Sequence, residues 1–256
     1  IVDLNIKNKV AIVTGAASQK GIGNAVAKAL AAEGANVVVT DIVEEGVQAL
    51  AAELRDSGVK AMAVKAYQSS MAEVKAAVSL IKAEMGSVDI LVNCAALTNN
   101  YGTMAKMTEE KWNFEIGVNL NGAFYWVNQV LPLMKEGYWG RIVNISSVAG
   151  NFGTTGLPCY AVTKGAMHAM TKQIARENAK AGITANCLVL GVIATEIYER
   201  GGIDQPTVDR LIDHIPMKRM GKSSEIGDMT TFLCSEQASY TTGAIIPVDG
   251  AFSVSI

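Results

Sequence analysis

Histidine, cysteine and surplus charge are all scarce in this chain of 256 residues. The two histidines, His168 and His214, stand far apart, and neither has a second ligand at metal-binding spacing, so no metal site is expected. The four cysteines, Cys94, Cys159, Cys187 and Cys234, form no C-x-x-C pair. That argues against a disulfide framework or redox dithiol and points to reduced thiols in a cytoplasmic protein. Cys159 is the one to watch, because it adjoins Tyr160. Lys plus Arg number 22 against 24 Asp plus Glu, so there is no basic excess to hold nucleic acid. No apolar run approaches the ~20 residues that a membrane span requires. The first ten residues lack a signal-peptide pattern.

What is present is a regular alternation of strand and helix patterns. Short apolar runs at Lys9–Thr14, Asn36–Thr40, Lys60–Lys65, Asp89–Val92, Arg141–Ile145, Ile183–Leu188 and Ala244–Val248 read as strands. Between them lie helical stripes, such as Val47, Leu50, Ala51 and Leu54, or Val74, Ala77, Val78 and Ile81. Gly34, Gly58 and Gly86 close three of these helices. A long helix is expected over about Thr108 to Lys135, and another from Tyr160 to about Lys180. Strands separated by helices imply right-handed βαβ units and a parallel sheet. The expectation is α/β: a single-domain Rossmann fold over residues 1–256, with a doubly wound, mostly parallel seven-stranded sheet. Residues 194–215, with Gly201, Gly202 and Pro206, have weak periodicity and are expected to form a mobile substrate lid.

Three stretches carry chemistry. The first strand runs into Thr14–Gly23, whose glycines open a helix and let backbone N–H groups approach a pyrophosphate. Its spacing is not G-x-G-x-x-G. Asp41 ends the second strand, where a carboxylate accepts hydrogen bonds from an adenosine ribose. Ser147 lies where the fifth strand becomes loop. Tyr160 and Lys164 are four apart, so a helix sets them on one face. A nearby ammonium disfavours the protonated phenol and is expected to lower its pKa.

These pieces, with Asn93-Cys94-Ala95-Ala96, Asn119, Gly191-x-Ile193-x-Thr195 and Val248-Asp249-Gly250, resemble the short-chain dehydrogenase/reductase family over essentially the whole chain. Their order and spacing carry the resemblance, including the thirteen positions from Ser147 to Tyr160. It implies that Tyr160 is the general acid/base, that Lys164 binds the nicotinamide ribose, that Ser147 orients the substrate oxygen, and that Asn119 holds a water in a proton relay. Gly15, Ser18, Gly21, Ile22, Gly23, Asp41, Gln68, Asn93, Ala95, Tyr160, Lys164, Ile193 and Thr195 are the implied dinucleotide contacts. Departures are two extra residues between Gly15 and Gly21, Tyr67 in place of an acidic residue near the adenine, Ala96 and Ala251 for glycines, and Leu190 for a proline.

The expected activity is NAD-dependent interconversion of a secondary alcohol and a ketone. Leu97, Val148, Asn151, Leu157 and Val192 are the candidate substrate contacts, joined by Phe152 and by Ile197, Tyr198 and Ile203 of the lid. This mostly apolar set leans toward a cyclic or chain alcohol, or a hydroxyacyl thioester. Trp112, Phe124 and Trp126 exceed what one helix face buries, so a homotetramer is expected, with a mixed oligomer as the variant. The competing reading is a catalytically silent dinucleotide-binding subunit. Asp41 against Lys20 decides cofactor form, and the carboxylate favours NAD.

Overall fold

A computed structural model describes residues 3–196 and 204–254. Ile197, Tyr198, Gly201, Gly202 and Ile203 of the expected lid lie outside the described residues.

The apolar runs pair as one parallel sheet. Its strands are β1 (Val10–Thr14), β2 (Asn36–Asp41), β3 (Ala61–Lys65), β4 (Ile90–Asn93), β5 (Gly140–Ser147), β6 (Ile183–Leu190) and β9 (Ile245–Val248). The seven stand in the order β3-β2-β1-β4-β5-β6-β9, and every neighbouring pair is parallel. Two-residue strands β7 (Ile193–Ala194) and β8 (Gly221–Lys222) make a separate ribbon.

Helices cover both faces, which is why the strands read as continuous apolar runs. Alternate residues of one strand face opposite sides. On one side Ala11, Val13, Val37 and Val39 pack with α1 (Ile22–Ala32), α2 (Glu44–Asp56) and α9 (Ser223–Leu233). On the other, Val10, Ile12, Val38 and Leu91 pack with α3 (Met71–Met85), α5 (Gly122–Glu136) and α7 (Pro158–Asn178). Gly34 and Gly86 take positive φ where α1 and α3 end. A methyl-bearing residue would be strained at either position.

The long helix expected over Thr108–Lys135 forms, with a π turn within it. α4 (Glu109–Ile116) and α5 are separated by a π turn, Gly117–Asn121. The cause is Asn119. Its side chain bonds the backbone of Leu97, donating to the carbonyl at 2.9 Å and accepting from the N–H at 2.7 Å. The extra residue in the turn brings it there. Trp126, expected to seek a subunit contact, is fully buried within its own chain.

A short α6 (Ala149–Phe152) follows β5, and within the 194–215 segment α8 (Gln205–Asp213) is capped by Asp204, whose carboxylate accepts from the Thr207 N–H. Among the described residues no helix is long and apolar enough to cross a membrane.

Candidate active site

In this strand order the chain turns one way from β1 to β2 and the other way to β4. The resulting crevice opens beyond the carboxyl ends of these strands, where open α/β sheets place ligands. Thr14 and Gly15 form its floor. The Thr14 hydroxyl accepts from the N–H groups of Cys94 (3.0 Å) and Ala95 (3.1 Å), which joins the two loops that leave β1 and β4. Gly15 has φ +68°, and a Cβ there would lie 2.6 Å from Ala95 Cα. A Cβ on Gly23 would lie 2.4 Å from the Gly15 carbonyl oxygen. Glycine is therefore required at both, by contact at each and by backbone conformation at Gly15.

The first cleft, ≈ 600 Å3, is lined by Gly15, Ser18, Gly21, Ile22, Asp41, Gln68, Ala95 and Thr195, all expected dinucleotide contacts. Leu97, expected to meet substrate, lines this cleft instead. Asp41 accepts from Ala17 N–H and Val43 N–H, both at 3.1 Å, which fixes its carboxylate at the end of β2. Gln68 donates to the carbonyls of Val118 (2.8 Å) and Ala95 (3.2 Å), so its amide fastens the wall of the cleft. Lys20 donates its backbone N–H to Glu196 at 3.3 Å, bringing the lengthened glycine loop against the segment after β7.

The second cleft, ≈ 610 Å3, is lined by Ser147, Tyr160, Lys164, Val148, Leu157, Val192 and Ile193. It shares Ile22, Cys94, Ala96, Thr98, Tyr101 and Thr195 with the first, so the two are one continuous crevice. Its walls are mostly apolar.

Tyr160 and Lys164 reach it from the first turns of α7, which starts with Pro158 at its N-terminus. Burial raises the Tyr160 phenol above its usual pKa, and the hydrogen bond with Ser147 pulls it partly back. Burial also lowers the Lys164 ammonium. Its Nζ donates to the Ile145 carbonyl at 2.8 Å and lies 5.5 Å from the centre of the tyrosine ring. The depressed phenol expected from sequence spacing is thus reversed here. Four-residue spacing sets the cation near the ring, but desolvation of both groups is decided by the surrounding fold.

Four expected residues do not reach the crevice walls. Gly23 lies behind the glycine loop. Asn93 turns inward and donates to Asn144 at 2.9 Å, and Asn144 donates to Thr171 at 2.8 Å, forming a buried polar ladder from β4 to α7. Asn119 is buried, its amide committed to Leu97, Glu115 and Thr163. Asn151 is exposed and lines neither cleft.

Thr98, Tyr101, Thr154 and Phe252 line the second cleft without any sequence signal, since only the folding of distant loops brings them there, and Leu211 of the expected lid segment joins them. Cys94, read as a buried thiol, lies at the junction of both clefts, with burial raising it to about 11. Cys159 is fully buried, faces the Trp112 carbonyl, and is likewise raised to about 11, so it is no nucleophile at neutral pH. Ser146 donates to the Lys164 carbonyl and braces α7.

Of the departures, Tyr67 is half exposed and outside both clefts. Ala251 holds φ +68°, a conformation that costs a non-glycine residue roughly 1–2 kcal/mol. Among the described residues no group of three or more His, Cys, Asp or Glu could hold a metal ion.

Comparison with known proteins places this geometry in company. A family model described as "Enoyl-(Acyl carrier protein) reductase" matches residues 15–253. The "Nodulation protein G" of Azospirillum brasilense is 36% identical over 249 residues, covering 97% of this chain and 99% of that protein. The "3-oxoacyl-[acyl-carrier-protein] reductase FabG" of Escherichia coli (strain K12) is 36% identical over 247 residues, covering 96% and 98%. A crystal structure described as a short-chain alcohol dehydrogenase from Sinorhizobium meliloti 1021 superposes with a TM-score of 0.94 at 31% identity, covering all of both chains.

The phenol can be titrated directly. Subtracting the ultraviolet pH titration of Tyr160→Phe from that of the wild type isolates one of the seven tyrosines. Its midpoint is expected above the usual 10.0, and Ser147→Ala should move it higher, because the serine bond is what opposes burial. A midpoint below the usual value would mean that the lysine charge outweighs desolvation.

Proposed function

Since the chain belongs to the short-chain dehydrogenase/reductase family, we propose that it is an NAD-dependent oxidoreductase that interconverts a secondary alcohol and a ketone. The observation that carries this reading is the shared crevice. Tyr160 and Ser147 face an apolar cleft that runs without interruption into the glycine-loop cleft.

The residues fit a nicotinamide dinucleotide. The glycine loop has no Cβ at its narrowest point, α1 opens directly beneath it, and Asp41 stands at the end of β2. The dinucleotide, when bound, supplies or accepts the hydride. Ser147 holds the substrate oxygen beside the phenol, and Tyr160 gives that oxygen a proton or takes one from it. Lys164 donates once to Ile145 and keeps two N–H donors for a ribose hydroxyl. Asn119 acts through position, holding the Leu97 backbone and the π turn.

Cofactor form follows from magnitudes. Charge-assisted bonds from Asp41 to ribose hydroxyls are worth roughly 1.5–3 kcal/mol. A 2′-phosphate within ~4 Å of Asp41 would meet about 4 kcal/mol of repulsion per charge pair at an effective dielectric near ~20. Lys20 is exposed, and an exposed ion pair returns only about 0–1 kcal/mol. NAD is therefore preferred.

A linear or cyclic alcohol suits the apolar cleft, and the names of several relatives extend the choice to a hydroxyacyl thioester. The second reading, a silent dinucleotide-binding subunit, is disfavoured because Ser147, Tyr160 and Lys164 meet in one cleft. Four unpaired cysteines support a cytoplasmic setting. Phe114, Phe124 and Val162, left exposed on α4, α5 and α7, support a homotetramer built on these helices.

Four measurements check this reading. With a panel of cyclic alcohols, hydroxysteroids, polyols, hydroxyacyl thioesters and the matching ketones, reduced-nicotinamide absorbance should report turnover. Tyr160→Phe should abolish that turnover while binding of NAD persists; near-normal kcat in that variant would end the assignment. The wild type should favour NAD over NADP in kcat/KM, and Asp41→Ser should narrow the gap; equal efficiency in the wild type would transfer the choice to Lys20. Sedimentation should give a tetramer at micromolar concentration, and a 27.0 kDa monomer would refute it.

A further inference from the structure

The only buried residue of α4 is a glutamate. Glu115 has no exposed surface, although carboxylates are rarely buried without a reason. Both of its oxygens are engaged by side-chain amides. Oε2 accepts from Asn100 Nδ2 at 2.9 Å, and Oε1 accepts from Asn119 Nδ2 at 3.4 Å. Burial raises its pKa, with the Asn100 bond opposing that rise.

These contacts reach both clefts. Asn100 is itself buried and belongs to the loop after β4, whose Cys94, Ala96, Thr98 and Tyr101 form the shared wall. Asn119 clamps Leu97 of the same loop through two bonds and donates to the Thr163 hydroxyl at 3.3 Å. That hydroxyl donates in turn to the Tyr160 carbonyl at 2.8 Å. One carboxyl thus ties the shared wall at two points and connects it with the turn that carries Tyr160.

We propose that Glu115 is a positioning residue for the oxidoreductase reaction, setting the loop 94–103 and the Asn119 side chain so that the two clefts meet in register. The proposal rests on the family reading of the site but is testable apart from it. A carboxyl that merely filled space would be replaced by leucine at no cost, or with a gain in stability, because a buried polar group is removed. A positioning carboxyl behaves differently. Leucine would release both amides and the wall would loosen whatever happens to global stability. Glutamine would keep its oxygen for Asn100 but set an NH2 against the NH2 of Asn119, so its effect should be intermediate.

The test uses the full chain as wild type, Glu115→Gln and Glu115→Leu. Hydrogen exchange read at single-residue resolution reports the Leu97 amide, which Asn119 holds, without requiring any substrate. Protection there should fall about tenfold in Glu115→Leu and less in Glu115→Gln, with sheet amides unchanged. On a substrate that the wild type turns over, kcat should fall about tenfold in Glu115→Leu and a few-fold in Glu115→Gln, while melting temperature does not fall in parallel. Wild-type protection at Leu97 in Glu115→Leu would overturn the proposal even if the enzyme is active. Unchanged kcat with unchanged KM in that variant would overturn it as well. Loss of protection in a chain that turns over nothing would support the positioning role while removing the proposed activity.

Discussion

The crevice depends on one close approach. The chain leaving β1 and the chain leaving β4 are locked together by the Thr14 hydroxyl, and Gly15 lies against Ala95 with no room for a Cβ. The strands on either side lead to helices on opposite faces of the sheet. A gap must therefore open just beyond this contact. The backbone N–H groups of the glycine loop, the Asp41 carboxylate and the wall formed by residues 94–103 all take their positions from it. A larger residue at Gly15 would meet backbone, which cannot yield as a side-chain tip can.

Polar groups buried around this contact hold the reacting side chains. The Asn93–Asn144–Thr171 ladder crosses two strands and ends on α7. Ser146 bonds the Lys164 carbonyl, and Lys164 bonds the Ile145 carbonyl. Each bond is directional, and in a dry interior a broken one costs roughly 1–3 kcal/mol. Apolar packing alone would tolerate small slides of α7 along the sheet; these bonds do not. The same interior that makes them stringent also disfavours charge, which is why the Tyr160 phenol is raised and the Lys164 ammonium lowered together.

At the other end of the sheet, burial and charge meet for structural reasons only. Arg141 is buried and donates to the carbonyls of Gly140, Gly182 and Ser235, while the Trp139 ring lies within 4.3 Å of its guanidinium and 4.0 Å of the Lys9 ammonium. These groups line neither of the two clefts. A buried charge that faces a cavity, as Lys164 does, is the better candidate for a working group.

Much of this protein was legible in its residues taken in order. Strand and helix periods, glycine stops such as Gly34 and Gly86, the glycine loop, Asp41 at a strand end, and Tyr160 four residues before Lys164 are all local patterns. Local patterns suffice because backbone geometry and side-chain period are set within a few residues. The tertiary structure alone decided what depends on distant partners. It put a π turn into the long helix at Asn119, where the side chain bonds the Leu97 backbone. It turned Asn93 away from the crevice toward Asn144, and it left Asn151 outside. It reversed the shift of the Tyr160 phenol, since desolvation depends on everything packed around a group and spacing reports only one neighbour. It also buried Glu115 between two amides, one from a loop fifteen residues earlier. No helical period announces such a residue, because the donors that justify its burial are brought to it only by the fold.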